Sequence, residues 1–309
     1  MNYQEQKAWK EIQSVLPEDY RFTAEYSPVE EWWDWQGHKV HLDCFRNPEA
    51  KKKIIMLHGV GTNGRQMSMI LGVSLAKAGY ETIAIDMPTY GLTKVAKGKV
   101  VTYDDWIALG NDYINHELTK DNRPIYLYGL SAGGMETYDV AYLNGKIKGI
   151  IGMTFLDQQD KNVCNTTTRN WFMSHVAVPM LGVLNRIGFG QMKIKMSIAS
   201  KMWALCNNPV AMKAFMRDKT SAGNSCTVAF LDSYMNHKLL CVPEDFKVCP
   251  ILLTQPEKDR WTPIELSKPF LDRIKQVEVK IVLLPDGGHY PVEETALRTM
   301  HNEIVAFIN

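Results

Sequence analysis

The sequence predicts an α/β fold: a mostly parallel central sheet with helices on both faces, interrupted by an inserted helical cap. Three observations predict it. Short apolar runs alternate with longer stretches of helical periodicity, as happens when strands are buried on both faces. The alternation breaks over residues 157–246, which carry helical periodicity and no evident strand, and then resumes. A G-x-S-x-G pentapeptide, Gly129-Leu130-Ser131-Ala132-Gly133, falls at one strand-to-helix junction.

Residues 4–16 read as an amphipathic helix stopped by Pro17. Strands over 29–35 and 39–45 flank Gly37-His38 and predict an antiparallel pair. A polar loop, 47–53, leads to a strand at 54–57 and a helix at 66–78 that ends at Gly79, a good C-cap. A strand at 81–85 precedes a helix at 103–118 entered through Thr102 as N-cap. Strand 124–128, helix 132–143 and strand 147–155 complete the first half. After the break come strand 251–254, a helix at 263–274 opened by Thr262 and Pro263, strand 277–284 and a final helix at 293–308. The expected division is core 1–156, cap 157–246 and core 247–309.

Composition narrows the function. The 35 Lys and Arg against 34 Asp and Glu give no basic excess, so nucleic acid is not an expected partner. No apolar run is long enough to span a bilayer: the most apolar stretch of the middle region, 175–187, is short and meets Arg186, Gly188 and Gly190. Stable membrane insertion is therefore not expected. The N-terminal residues are polar and charged, without the apolar segment of a secretory signal. Six cysteines, at 44, 164, 206, 226, 241 and 249, show no C-x-x-C pair and no metal-ligand spacing. They read as free, mostly buried thiols in a reducing cytoplasm. Neither a metal nor an organic cofactor is expected.

The pentapeptide points to nucleophilic catalysis. A serine on a sharp strand-to-helix turn leaves no room for side chains beside it, and Gly129 and Gly133 supply that room. The following helix directs its N-terminus at the serine, where negative charge develops. Serine needs a base, and histidine is suited to neutral pH. Of eight histidines, His289 lies in a Gly-rich loop, Pro285-Asp286-Gly287-Gly288-His289, after the last strand. His38, His41, His116, His175, His237 and His301 have no such setting and read as structural. An acid must orient the base. Asp259, in the loop leaving strand 251–254, is the first choice, with Glu257, Asp157 and Asp160 as rivals. The chain order Ser131, Asp259, His289 also fits.

With these residues the sequence resembles the α/β-hydrolase family, in its monoglyceride-lipase and lysophospholipase-like branch, often grouped with serine aminopeptidase-like hydrolases. The resemblance rests on His58-Gly59-Val60-Gly61, the Ser131 pentapeptide, the Asp259 loop and Gly288-His289, and runs from about Trp33 to the C-terminus. Asp86-Met87-Pro88-Thr89-Tyr90-Gly91 is similar to a family turn but has Thr89 where glycine is expected. The resemblance implies the α/β-hydrolase fold, oxyanion donors at the Val60 and Ala132 N–H groups, a structural role for His58, and a lid over the site.

The expected substrate is a small hydrophobic carboxylic ester, such as a monoacylglycerol or lysophospholipid, cleaved through an acyl-enzyme. Serine in place of aspartate as nucleophile argues against dehalogenase or epoxide hydrolase chemistry. The H-G-V-G-T-N-G loop argues against a proline iminopeptidase. A carbon–carbon bond hydrolase or a thioesterase is the enzyme alternative, and a ligand receptor of the same fold the non-enzyme one. The apolar residues of the cap serve either an acyl pocket or the cap's own core. Lys193 and Lys195 read as solvated, with a phosphate or membrane contact as the alternative.

Overall fold

The computed structural model describes residues 2–309. Ten strands occur among them: β1 (Val29–Trp35), β2 (His38–Phe45), β3 (Lys53–Leu57), β4 (Glu81–Ile85), β5 (Ile125–Gly129), β6 (Gly149–Gly152), β7 (Lys193–Lys195), β8 (Ser225–Thr227), β9 (Ile251–Pro256) and β10 (Val279–Leu284). Eight form one sheet in the order β1-β2-β4-β3-β5-β6-β9-β10. β2 pairs antiparallel with β1 and β4, and every other pairing is parallel. This is the expected mostly parallel sheet. Every residue of β3 and β4 is buried, which explains why these strands read as continuous apolar runs and not as alternating ones.

Several expected elements change in detail. The β1–β2 turn is Gln36-Gly37, with φ of 47° and 84°, so β2 begins at His38. The N-terminal helix is a 3₁₀ turn, Tyr3–Glu5, followed by a short α-helix, Ala8–Gln13. β6 covers only Gly149–Gly152, and the Phe155 N–H is taken by Ser267 Oγ at 2.9 Å. The helix expected over 263–274 splits into a 3₁₀ turn, Ile264–Leu266, and Lys268–Leu271. Pro269 has no N–H to continue a helix from the turn before it, and it sits in the first turn of the second helix, where none is needed. Residues 157–246 are mostly helical as expected, but they also hold the antiparallel ribbon β7–β8. Three residues per strand are too few to register as a period.

Beneath the carboxyl ends of β3 and β4 lies a buried polar knot. Asp86 accepts from the Tyr3 hydroxyl at 2.8 Å, Gly64 N–H at 2.7 Å and Leu92 N–H at 2.8 Å, and pairs with His41 Nδ1 at 2.8 Å. Glu30 takes the other nitrogen of His41 at 3.0 Å. Burial disfavours the charged ring, but the two carboxylates overcome it and push the His41 pKa up to about 9. A raised pKa stabilises the fold fully below the unfolded value near 6.5, and that contribution is lost as pH rises through about 9. The gap in unfolding free energy between the native protein and His41→Asn is therefore expected to narrow by about 3 kcal/mol from pH 6.5 to pH 9. Urea unfolding at several pH values checks it; a constant gap refutes the charged pair.

In the Asp86–Gly91 turn, Thr89 sits at φ 93°, the position where glycine was expected. Its carbonyl accepts from Asn224 Nδ2 at 2.6 Å, and Gly91 N–H bonds Thr220 O at 2.9 Å. These bonds from the insert hold a backbone conformation that a β-branched residue does not adopt by preference.

Candidate active site

β5 ends at Gly129, and the helix Ala132–Asn144 begins three residues later. The chain makes this reversal through Ser131, whose φ is 56° and ψ −120°. A Cβ on Gly129 would come within 2.1 Å of Gly133 O, and one on Gly133 within 2.4 Å of Leu57 O. The two glycines are therefore required by contact, as the motif implied. The serine side chain does not cap the helix behind it, so the hydroxyl is left free for other work.

β9 delivers Asp259, and the loop after β10 delivers His289. Asp259 Oδ2 lies 2.8 Å from His289 Nδ1 and accepts the Thr262 hydroxyl at 2.7 Å. Its Oδ1 accepts the N–H groups of Trp261 and Thr262, both at 2.8 Å. Burial alone would raise the carboxyl pKa; the facing imidazole and these donors hold it below the usual carboxylate range. A carboxylate at Nδ1 fixes the tautomer with the proton there and leaves Nε2 as the basic nitrogen. That Nε2 is buried and has no hydrogen-bond partner in the chain. Trp261 lies against the ring, with centroids 4.9 Å apart.

The rival acids lie elsewhere. Asp160 caps the helix Lys161–Thr167, Asp157 accepts from Gln159 N–H, and Glu257 accepts from Asp286 N–H. One expectation for this loop changes. Thr262 is not a helix cap; it buttresses Asp259 and lies 2.9 Å from His289 Nδ1. The Thr262 role could be found in the sequence only as a hydroxyl three residues after the acid. The histidines set aside are held in structural contacts: His41 as above, His237 with Asp139 at 2.8 Å, His301 with Ser74, His38 with Ala96 N–H, His116 stacked on Trp33 and His175 on Trp171.

The loop after β3 is stapled from within. Thr62 Oγ1 accepts the Gly59 N–H and donates to the Gly59 carbonyl, and Asn63 and Gln66 form a capping box. His58 Nε2 accepts the Met87 N–H at 2.9 Å and Nδ1 donates to Gly59 O, so the ring is neutral; burial lowers its pKa to about 4. Its role is structural. Among the described residues, the N–H groups of Val60 and Ala132 have no intramolecular partner. Tyr103, which the motifs did not single out, donates its hydroxyl to Ala132 O at 2.8 Å and steadies that first turn.

Ser131 and Thr262 face one cavity of about 180 Å³, together with Val60, Leu181, Met196, Leu231 and Trp261. Thr167, Thr168 and Ser200 also line it, but each hydroxyl is bonded to the carbonyl four residues earlier. The walls are thus apolar in effect. The structure brings Asp259 and His289 into contact, with Ser131 on the wall that Thr262 shares; the Ser131 hydroxyl makes no hydrogen bond to His289. No group of His, Cys, Asp and Glu suited to a metal ion occurs among the described residues.

Sheet order, elbow and helices define an α/β-hydrolase fold. The chain belongs to the serine aminopeptidase S33 family, whose sequence profile matches residues 48–296. This agrees with the branch that the motifs resemble. No curated protein matches the sequence. Solved structures with the same fold include the monoacylglycerol lipase of Paleococcus ferrophilus, 21% identical, TM-score 0.66, covering 87% of this chain and 97% of that one. A soluble variant of monoglyceride lipase from Saccharomyces cerevisiae, in complex with a substrate analog, is 15% identical with TM-score 0.73, covering 93% and 96%. A thermostable carboxyl esterase from Bacillus coagulans is 17% identical with TM-score 0.66, covering 92% and 98%.

Proposed function

We propose that the protein is a serine esterase that cleaves carboxylic esters with an apolar acyl chain through an acyl-enzyme intermediate. One observation carries the reading: a buried imidazole has Nδ1 committed to a carboxylate and Nε2 unclaimed, beside an apolar cavity walled by a serine at positive φ. His289 Nε2 takes the Ser131 proton as the oxygen attacks the ester carbon. The carbonyl electrons move to oxygen, where the Val60 and Ala132 N–H groups donate to them; losing one such donor costs about 3 kcal/mol. His289 then gives its proton to the departing alcohol. Water, deprotonated by the same nitrogen, attacks the acyl-serine and releases the acid. Asp259 stays ionised and supports the imidazolium.

The cavity fits an acyl chain because its polar wall residues have spent their hydrogen bonds on their own helices. It is slightly larger than the ~150 Å³ that holds a benzene ring. The insert 157–246 supplies most of the lining and serves as the cap. The fold relatives that are monoacylglycerol lipases and an esterase support an ester over a thioester or carbon–carbon bond. A fluorophosphonate probe should label the native protein at Ser131 and leave Ser131→Ala unlabelled. A native protein that neither takes the label nor turns over any p-nitrophenyl ester would be a ligand-binding module instead.

A further inference from the structure

The eight Lys and Arg between Lys161 and Arg217 are accompanied by no Asp or Glu. The rest of the chain holds the other 27 basic residues (35 less these eight) and all 34 acidic ones. Its sign is therefore opposite to that of residues 161–217. Among the described residues, only Arg217 of the eight forms an ion pair, with Glu11. Residues 161–217 thus carry basic charge, largely without ion-pair partners, on a nearly neutral protein.

The same segment exposes apolar side chains in a helical pattern. One helical run passes through Met173–Ala177 and Val178–Leu184 and reaches Ile187, where Gly188 at φ 95° breaks it. Met173, Ala177, Val178 and Leu181 turn inward to the cavity. Phe172, Val176, Met180, Val183 and Ile187, at spacings of three or four, are exposed; Phe172 is 55% and Ile187 62% accessible. Trp171, just before the helix, is 69% accessible. A helix apolar on both faces belongs inside a core or against lipid, and contiguous exposed apolar residues mark an interaction surface. Arg186 is the one charged residue from Trp171 to Phe189. Lys193 and Lys195, exposed in the adjoining ribbon, extend the basic edge.

We propose that the outer face of this helix docks the protein reversibly on an anionic lipid surface. Phe172, Met180 and Ile187 enter the acyl boundary, while Arg186, Lys193 and Lys195 meet the headgroups. Apolar face and basic rim are the two contributions such interfacial binding needs. A second copy is the poorer occupant, because a symmetric contact through this face would bring two all-basic segments together. No helix among the described residues is long and apolar enough to cross a membrane, so this is surface attachment. The inference does not depend on what Ser131 does.

Co-sedimentation with vesicles of ether-linked phospholipids tests it, since these offer no carboxylic ester to cleave. The native protein should pellet with mixed phosphatidylcholine–phosphatidylglycerol vesicles, less with phosphatidylcholine alone, and less as salt rises. Phe172→Ser with Ile187→Ser should weaken binding to the mixed vesicles about tenfold or more. Arg186→Gln, Lys193→Gln and Lys195→Gln together should remove at least about tenfold of the preference for anionic vesicles. Both variants should keep the native thermal transition and the native turnover of p-nitrophenyl acetate. The proposal fails if neither vesicle pellets the native protein, or if the Phe172/Ile187 variant still binds. It also fails if gel filtration shows a dimer that this variant dissolves.

Discussion

Ser131→Ala is expected to lower kcat for a soluble p-nitrophenyl ester by about 10⁴- to 10⁶-fold while KM changes little. The hydroxyl is small and stands at the cavity wall, so its loss removes the attacking atom and hardly alters the space that holds the acyl chain. Alanine takes the same backbone geometry at the same cost, so thermal stability should stay near native. His289→Ala should lose a similar factor, and the double variant little more than either single one, because a nucleophile without its base and a base without its nucleophile fail at the same step. Steady-state kinetics on the three proteins checks this. Retention of more than a tenth of native kcat by Ser131→Ala would remove the serine mechanism.

The second large effect is at Asp259. Asp259→Asn keeps an oxygen to accept the Trp261 and Thr262 N–H groups, so the loop should hold. The amide nitrogen, however, would face His289 Nδ1 with donor against donor. The ring then turns its lone pair to Nδ1 and carries its proton on Nε2, the tautomer that cannot accept from serine. A loss of about 10⁴-fold in kcat is expected, with fluorophosphonate labelling slowed in parallel and the thermal transition little changed. If activity survives in Asp259→Asn and disappears in a variant of Glu257 or Asp157, the orienting acid has been misassigned.

The parallel core was legible because its inner strands are buried on both faces, so Ile54–Leu57 and Ile251–Leu253 appear as unbroken apolar runs. The elbow was legible because contact demands glycine on either side of Ser131. Asp259 and His289 were singled out by their places after strands, and the structure sets their side chains 2.8 Å apart. Less could be read where a residue works only through distant partners. Tyr103 reaches Ala132 from 29 positions away, and Thr262 resembles an ordinary helix cap. The β7–β8 ribbon pairs segments some thirty residues apart with three residues each, too short to leave a period. The apolar residues of the insert serve two faces of one helix, a distinction that hydropathy alone does not make.

The positive φ at Ser131 has a consequence for engineering. Every side chain at that position, including the native one, holds the chain in a conformation that only glycine adopts freely. Ser131→Gly should therefore melt higher than the native protein, by a margin worth about 1 kcal/mol, even though it can no longer attack anything. Screens that reward thermal tolerance without monitoring turnover would drift toward such inert variants, so a stabilised form is better sought at positions remote from the elbow.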